Sequence, residues 1–515
     1  MSSSEIIIGS RGSKLALWQA NYIQNQLKNN GIISTIKVIK TKGDVIKNLS
    51  FDKIEGKGFF TKEIENELLN KSVDIAVHSL KDLETNQPNG LKIVAIPLRE
   101  NPSDTLLIKK KYIDSSKPLE LVSNAIVGTS SSRRKNQLLF FRKDLVIKDL
   151  RGNVPTRIEK LKKGKYHAIV LAKAGLNRLN IDLSDFFVKD LSPSVFIPAP
   201  AQGALGIQVR ENDHNLIKKL SFLTNQNTFQ NVSFERQILN NIGGGCQSPF
   251  GAYSKIDSSG RRITWVTYAS NVEKTPFRFV TGSLNPTEIV NQIKKKIEIK
   301  SVWISRELRE NSLFKKLLSS VNFKIEDIPL IEKKIIKIKK VPECNWIFFN
   351  STFAFDSIFH LKNQIAFKKI AAFGNSTADY LKKNGLKVDF IGKGSPNIVA
   401  SDFSSTISHN EVVYFPSSEI SIGSVQSKIP IENKVIETTY QTNLVNKKLN
   451  HYDFLVFTSP SNVEAFNLSN QINSQNIISI GPSTTKMLES IGAKKIHQVH
   501  ESTELAIAET IFSLI

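Results

Sequence analysis

The chain has 515 residues, 40% hydrophobic and 23% charged, a globular balance that excludes wholesale disorder in a length too great for one core. Two cysteines, Cys246 and Cys344, exclude a disulfide scaffold and suit a reducing compartment. The net charge of +23 is uneven: residues 1–300 hold 46 Lys and Arg against 27 Asp and Glu, residues 301–515 only 24 against 20. No run approaches the ~20 apolar residues of a membrane helix. The opening "MSSSEIIIGSRGSKLALW" lacks the basic region and long apolar core of a signal peptide, so a cytoplasmic location is expected.

In chain order, "EIIIGS" reads as a strand and "SKLALWQANYIQNQLKNNG" as an amphipathic helix with Gly31 at its C-terminal cap. "STIKVIKT" is the next strand, which makes a βαβ rhythm. "VDIAVHSLKD", "NAIVGTSSSRRKNQLLFFR" and "YHAIVLAKAGLNRL" each open a further unit of the same kind. After the helix-like "NTFQNVSFERQILNNI", residues 251–283 alternate apolar and polar and predict an antiparallel sheet in a small α+β domain. Between them, "NNIGGGCQSPFG" mounts Cys246 on three glycines, which let a bulky group approach the backbone. A buried thiol after a loop is the plain alternative.

Near residue 300 the pattern restarts with "KSVWISRELRENSLFKKLLSSVNFKIEDIPLIEK", strand, helix and strand. An internal repeat follows. "FFNSTFAFDSIFHL" resembles "VFTSPSNVEAFNL", pairing Phe349 with Phe457 at a spacing of 108 residues. "FGNSTADYLKKNGLK" resembles "IGPSTTKMLESIGAK", pairing Gly374 with Gly481 at 107. In each copy a strand ends in Gly and a Ser/Thr pair opens a helix, either as a plain N-cap or as an anion cradle.

Four basic loops fall at predicted strand ends in the first half: Arg11 with Ser13, Ser130 with Arg133 and Arg134, Arg151 with Arg157, and Arg178. Ligands of open α/β sheets bind outside the carboxyl ends of strands, and Arg grips carboxylates bidentately. One such Arg is an ordinary surface charge; the repetition is what points to an anionic ligand. Among them "IAVHSLKDLE" brings Lys81 and Asp82 to another strand end. There Asp82 suits stabilisation of a cationic intermediate or proton shuttling, with a surface salt bridge to Lys81 as the plain alternative.

"SRGSKLALWQ", "TKGD", "GKGFFTKE", "HSLKD", "GTSSSRR", "RGNVPTR", "LAKAGLNRL", "PAPAQGALGI" and "GGCQSPFG", in this order, resemble porphobilinogen deaminase (hydroxymethylbilane synthase) over roughly residues 1–300. The resemblance implies head-to-tail polymerisation of four porphobilinogen units, with loss of ammonia, on a dipyrromethane cofactor bound through Cys246. It gives Asp82 the stabilisation of pyrrole cations. It assigns Ser13, Lys81, Ser130, Arg133, Arg134 and Arg151 to the cofactor and Arg11, Arg157 and Arg178 to the substrate side chains. Asp44, Lys57, Phe59 and Lys62 would belong to a flap. Glu84, Ala201 and Gln208 depart from the family's usual Pro, Gly and Glu and question local loop geometry.

Residues 301–515 resemble uroporphyrinogen-III synthase through "PLIEKK", "FFNSTFAFDSIF", "AAFGNSTADYLKKNGL", "TTYQT", "VFTSPSNVEAF" and "SIGPSTTKMLESIGA", with Asn350 and Phe353 as departures. This implies cofactor-free closure of the bilane, with Tyr440 as the cleft tyrosine and Thr377 and Thr484 facing the substrate.

The two resemblances together imply an α/β fold. It comprises two periplasmic-binding-protein-like lobes (~5–101 with ~202–219, and ~107–195) and a small cofactor-carrying α+β domain (~224–298). A two-lobed parallel-sheet synthase region follows (~301–335 with ~443–515, and ~338–438). The expected function is a bifunctional enzyme of porphyrin and heme biosynthesis, a transferase fused to a lyase. It would be a metal-free monomer acting on small molecules, with no nucleic-acid or membrane partner. The alternatives are a deaminase with a silent second half, or a two-lobed module that binds small anions.

Overall fold

The computed structural model describes residues 5–41, 61–115, 117–243, 249–257, 260–295, 298, 300–310, 312–321, 323–394, 396–419, 423, 425–473 and 475–515. The chain forms two compact units. Met1–Lys300, Glu310–Lys324 and Ser502–Ile515 make the first, and Ser301–Arg309 with Ile325–Glu501 the second.

In the first unit, helix Lys14–Asn29 shows how the local sequence builds a lobe. Ser13 caps it by accepting from the Ala16 N–H, and Gly31, at φ +72°, turns the chain out just past its end. Ala16, Ala20, Ile23 and Leu27 recur on its buried face, where Ala20, Ile23 and Leu27 pack on Ile6, Ile8, Ile75 and Val77 of the sheet below. That sheet runs Ser34–Ile39, Ile6–Arg11, Ile75–Ser79, Leu205–Arg210, Leu91–Ala95 in spatial order. The first three strands are parallel, and Leu205–Arg210 is antiparallel to both its neighbours. A second sheet repeats the plan with Val146–Lys148, Ile126–Gly128, Ala168–Ala172, Asp104–Lys109 and Phe186–Leu191. Here Asp104–Lys109 is the antiparallel strand. The chain therefore crosses between lobes twice, just before Asp104 and just before Leu205.

A three-stranded antiparallel sheet, Phe250–Ile256, Arg262–Tyr268 and Phe277–Thr281, forms the small domain with helix Gln226–Ile242. It sits directly on the second crossing: Ala252 N–H donates to the Pro198 carbonyl at 3.2 Å. At Gly251 a Cβ would lie 2.8 Å from the Ile197 carbonyl oxygen, so only Gly fits.

The second unit carries two further sheets. One runs Lys324–Asp327, Ser301–Ile304, Phe454–Phe457, Asn476–Ser479, Ile496–Gln498. The other runs Ile331–Ile335, Lys434–Leu444, Val413–Ser418, Trp346–Phe349, Lys369–Ala372, Phe390–Ile391, with its first two strands as an antiparallel ribbon and the rest parallel. The repeated Phe349 and Phe457 end equivalent strands, and Gly374 and Gly481 precede equivalent helices, Asn375–Lys383 and Pro482–Ser490. These glycines are themselves the N-caps, with no side-chain cap bond, so the Ser/Thr pairs lie inside the first turn. The serines that do cap are Ser351 and Ser459, on the preceding helices.

Two segments differ from the boundary read near residue 300. Residues 310–324 and 502–515 lie with the first unit, because helix Glu504–Ser513 packs on strand Phe277–Thr281 and helix Leu313–Ser319 packs on that helix.

The departure at Ala201 falls at a strained position, with φ +62° and no exposure. A left-handed Ala costs ~1–2 kcal/mol. Its methyl packs with Leu80, Leu83, Ile96 and Val232, which returns about 0.8 kcal/mol, and it avoids the ~0.5–1 kcal/mol entropy cost of Gly. The terms nearly cancel. Ala201→Gly is therefore expected to stay within about 1 kcal/mol of the parent in urea unfolding. Ala201→Val, β-branched and overpacked, should lose roughly 2–3 kcal/mol. A large gain for Gly, or a neutral Val, would contradict this reading.

Candidate active site

The first unit brings most of the basic loops to the carboxyl ends of its two parallel strand sets. Arg11 ends strand Ile6–Arg11, and Ser13 caps the helix after it. Lys81 and Asp82 occupy a single 3-10 turn, Leu80–Asp82, after strand Ile75–Ser79. Arg133 and Arg134 lie in the first turn of helix Ser132–Phe141, capped by Ser131. Ser130 ties its loop to the next one, accepting from the Leu150 N–H at 3.0 Å and donating to the Leu150 carbonyl. Arg151 lies in the loop that follows Leu150, and Arg157 lies in helix Val154–Lys162 with its Nε donating to Gly152. Arg178 is buried, donates to the Gly203 carbonyl at 2.7 Å and lies over the Trp18 ring.

At the centre is a carboxylate that pattern reading missed. Asp104, with no exposure, receives Arg133 Nη1 at 2.8 Å on Oδ2. Arg134 donates to its Oδ1 from Nε and Nη2 at 3.0 and 2.7 Å. Gln202 Nε2 adds a fourth donor at 3.0 Å, and its Oε1 lies 3.4 Å from Lys81 Nζ. Burial opposes ionisation of Asp104, but the two guanidinium charges and their hydrogen bonds outweigh it and hold the carboxyl well below the usual range. Burial also lowers Arg133, against the charge of Asp104. "NPSDTLLI" offers only a lone acid entering an apolar run as a signal.

Around this core the electrostatics link the two lobes. Burial pulls Arg157 down to about 10, with the Arg134 charge adding to the effect and Asp82 opposing it. Lys81 is pulled down to about 8, first by burial, against the attraction of Asp82 and Asp104 and with the help of Arg134 and Arg133. Asp82 itself is exposed. The structure thus gathers Lys81, Asp82, Arg133, Arg134 and Arg157 into one field.

The turn bearing Asp82 is held from the small domain. Arg236, on helix Gln226–Ile242, donates to the Leu80, Leu83 and Glu84 carbonyls at 2.8, 3.0 and 2.5 Å. Immediately before it, Glu235 pairs with Arg99 at 2.7 Å and accepts from the Ala201 and Ser254 N–H groups. The departure at Glu84 therefore leaves the backbone carbonyl engaged. The departure at Gln208 has a local reason: its amide donates to Gln87 and Glu65 and its Oε1 meets His78 Nε2 at 3.0 Å. Glu there would set a second carboxylate beside Glu65, which burial already raises.

Cys246, Asp44, Lys57 and Phe59 lie outside the described residues; Lys62 begins helix Lys62–Leu69 and is exposed. Cys344 is buried in the second unit, and burial pushes its thiol up, as for a packing residue. In the second unit, Tyr440 is 8% exposed on the ribbon, edge-on to Phe353 with ring centres 5.0 Å apart. Lys333 Nζ lies over both rings, its charge disfavoured by burial. Thr377 and Thr484 lie in the first turns of the two Gly-capped helices, both buried. The Thr484 hydroxyl has no hydrogen-bond partner among the described residues. No described helix is long and apolar enough to cross a membrane, and no group of His, Cys, Asp and Glu among the described residues could hold a metal ion.

Because Lys81 titrates at about 8, it carries its charge at neutral pH and loses it as pH rises through that value. In protein labelled at the lysine ε-carbon, one NMR signal should titrate near pH 8 and vanish in Lys81→Met. A Lys81 signal unmoved until above pH ~10, the ordinary lysine range, would show that burial does not govern it.

Comparison with known proteins agrees with this layout. The family model described as porphobilinogen deaminase, dipyromethane cofactor binding domain, matches residues 6–218, and that of the porphobilinogen deaminase C-terminal domain matches 229–308. The model of uroporphyrinogen-III synthase HemD matches 313–509. A porphobilinogen deaminase of Maridesulfovibrio salexigens is 47% identical over 50% of this chain and 83% of its own. That of Clostridioides difficile is 42% identical over 56% and 96%. A crystal structure of uroporphyrinogen-III synthetase from Helicobacter pylori aligns with 42% of this chain and all of its own, at 19% identity and a TM-score of 0.33, too weak to bear on function. With a synthase domain following its deaminase domains, the chain belongs to the porphobilinogen deaminase family and is a bifunctional enzyme of tetrapyrrole biosynthesis.

Proposed function

We propose that the first unit joins four porphobilinogen molecules into hydroxymethylbilane and that the second closes the bilane, with its terminal ring inverted, to uroporphyrinogen III. The observation that carries this reading is the gathering of Lys81, Arg133, Arg134 and Arg157 into one cationic field at the strand ends, where the exposed carboxylate of Asp82 acts on Lys81 and Arg157. A polycarboxylate fits such a field, and a dipyrromethane with its acetate and propionate arms is a polycarboxylate. When bound, that group supplies the pyrrole end on which the chain grows; Cys246 would hold it through a thioether. Lys81, Ser130, Arg133, Arg134 and Arg151, with Ser13, would hold its arms. The buried Arg133 and Arg134 would do so chiefly through their charge, because they already donate to Asp104 and backbone carbonyls. Arg11, Arg157 and Arg178 would hold the arms of the incoming porphobilinogen.

Asp82 balances the positive charge that appears when the aminomethyl carbon of porphobilinogen loses ammonia. It then takes the proton released as the new carbon–carbon bond forms. Its backbone is fixed by Arg236, so the carboxylate is pre-aimed and need not reorganise. In the second unit, Tyr440 assists departure of the terminal hydroxyl, and the first turns at Thr377 and Thr484 hold carboxylates through backbone N–H groups and hydroxyls. This reading requires only small-molecule partners and suits a monomer in the cytoplasm.

Denatured intact mass should show a covalently added dipyrrole on the full chain and on Cys344→Ser, and none on Cys246→Ser. Asp82→Asn should retain the added mass yet lose turnover by a factor of ~10²–10³. An added mass persisting on Cys246→Ser, or near-normal turnover in Asp82→Asn, would refute the corresponding assignment.

Hydroxymethylbilane closes unaided to the type I macrocycle, so type III product reports the second unit. The full chain should give mainly type III porphyrin after oxidation. Tyr440→Phe should shift the mixture toward type I without slowing porphobilinogen consumption, as read by isomer-resolving chromatography. Type I alone from the unmodified chain would mean that the second unit is not a working synthase.

A further inference from the structure

Helix Glu504–Ser513 begins within the segment that matches the synthase model, which ends at residue 509, yet it packs against the small domain of the first unit. The contact is apolar at one end, where the rings of Phe277 and Phe512 pack tilted by 38° with centres 5.0 Å apart. Backbone at the helix end is also held, as Gln292 Nε2 donates to the Phe512 carbonyl at 2.6 Å. In the middle is a charge pair. Arg278, on strand Phe277–Thr281, has no exposure and Glu509 only 1%. Nε and Nη2 of Arg278 donate to Glu509 Oε1 at 3.2 and 2.9 Å.

The same guanidinium reaches away from the helix into the second lobe. Nη1 donates to Gln137 Oε1 at 3.2 Å, and Nη2 to the Val195 carbonyl at 2.9 Å. Gln137 lies on helix Ser132–Phe141, one turn beyond Arg133 and Arg134, and its amide exchanges two hydrogen bonds of 2.8 Å with the Ile197 backbone. The Ile197 carbonyl is also the second acceptor of Arg133 Nη1, at 2.9 Å. An unbroken polar path therefore runs from Glu509 through Arg278 and Gln137 to the arginines of the candidate active site.

A buried arginine needs a counter-charge, because one left unpaired is strongly unfavourable. Among the described residues the carboxylate on Arg278 comes from the far end of the sequence, more than 200 residues beyond the deaminase domains. We propose that helix Glu504–Ser513 is a working part of the deaminase unit, in which Glu509, as a positioning residue, fixes Arg278 and through it the small domain against helix Ser132–Phe141. The inference rests on the reading of the first unit as the deaminase. It makes bilane synthesis in this chain dependent on a segment of its synthase half.

The test uses full-length variants and two readouts. Glu509→Gln should lower the unfolding midpoint of the first unit by roughly 5–10 °C. It should also cut porphobilinogen turnover about 10-fold, through kcat with KM little changed. The double variant Arg278→Met with Glu509→Leu replaces the pair by apolar groups and should restore the midpoint. It should leave turnover low, because Gln137 and Val195 lose their donor. Were the double variant to recover both, the helix would be a structural clamp and the positioning role would be overturned. A Glu509→Gln chain unchanged in both readouts would overturn the docking itself.

Cleavage at a protease site inserted into the exposed stretch 500–502 gives a third arm that needs no core substitution. The cut fragment should stay bound through size exclusion, and its removal in mild denaturant should abolish turnover; turnover without it would also refute the proposal. The midpoint and the fragment's retention are read without substrate. A chain inert toward porphobilinogen would therefore fail the functional reading and still leave the docking decided.

Discussion

Two guanidiniums and one carboxylate withdrawn from water are tolerable only in a fixed geometry that satisfies their hydrogen bonds. Asp104 meets that condition by taking Arg133 on one oxygen and Arg134 and Gln202 on the other. Removing one partner of such a group leaves a bare buried charge at a cost of about 3–5 kcal/mol, so the arrangement resists piecemeal change. Much of the first unit is arranged around it. Asp104 begins the strand that has just crossed from the first lobe, Gln202 belongs to the segment crossing back, and the arginines open a helix between the two. One charge cluster thus ties both crossings to the helix that presents the cationic field.

A second layer of control comes from helix Gln226–Ile242. Arg236 spends its guanidinium on backbone carbonyls of the turn bearing Lys81 and Asp82, and Glu235 spends its carboxylate on Arg99 and two backbone N–H groups. Neither side chain is spare for a ligand. They convert the placement of one helix into the placement of an acid on another domain, and the same helix leads toward Cys246. Arg236 and Glu235 are buried with their polar atoms engaged, whereas Asp82, on the turn they hold, is exposed.

The parallel parts of the fold were legible because each strand and helix announces itself within about 30 residues of chain. The parallel strands of the first unit's two sheets, the small antiparallel sheet and the internal repeat follow from alternation, periodicity and self-similarity. The loops carrying Arg11, Lys81, Ser130 and Arg133 were placed at strand ends for the same reason. Asp104 was not legible, since a single acid in an apolar run has no periodicity to mark it and its meaning depends on partners about 30 and 98 residues away. The docking of helix Glu504–Ser513 was hidden differently. "ELAIAETIFS" is apolar on nearly every face, and composition cannot say which neighbour each face meets. Ala201 shows a third kind of gap: the departure was visible, but its left-handed backbone and the methyl packing that offsets the strain are tertiary facts.

The antiparallel strand Leu205–Arg210 also constrains the order in which the polypeptide takes shape. It lies between Ile75–Ser79 and Leu91–Ala95, and without it the first sheet is split into two pieces with open edges. During synthesis at ~5–20 residues per second, more than a hundred residues and the whole second sheet emerge before that gap can close. The second sheet, whose strands all fall between Asp104 and Leu191, has no such wait. The lobe that comes later in the chain is therefore free to fold first and act as the template on which the earlier one is completed. In the interval, the edges of Ile75–Ser79 and Leu91–Ala95 that Leu205–Arg210 later covers are open to mispairing.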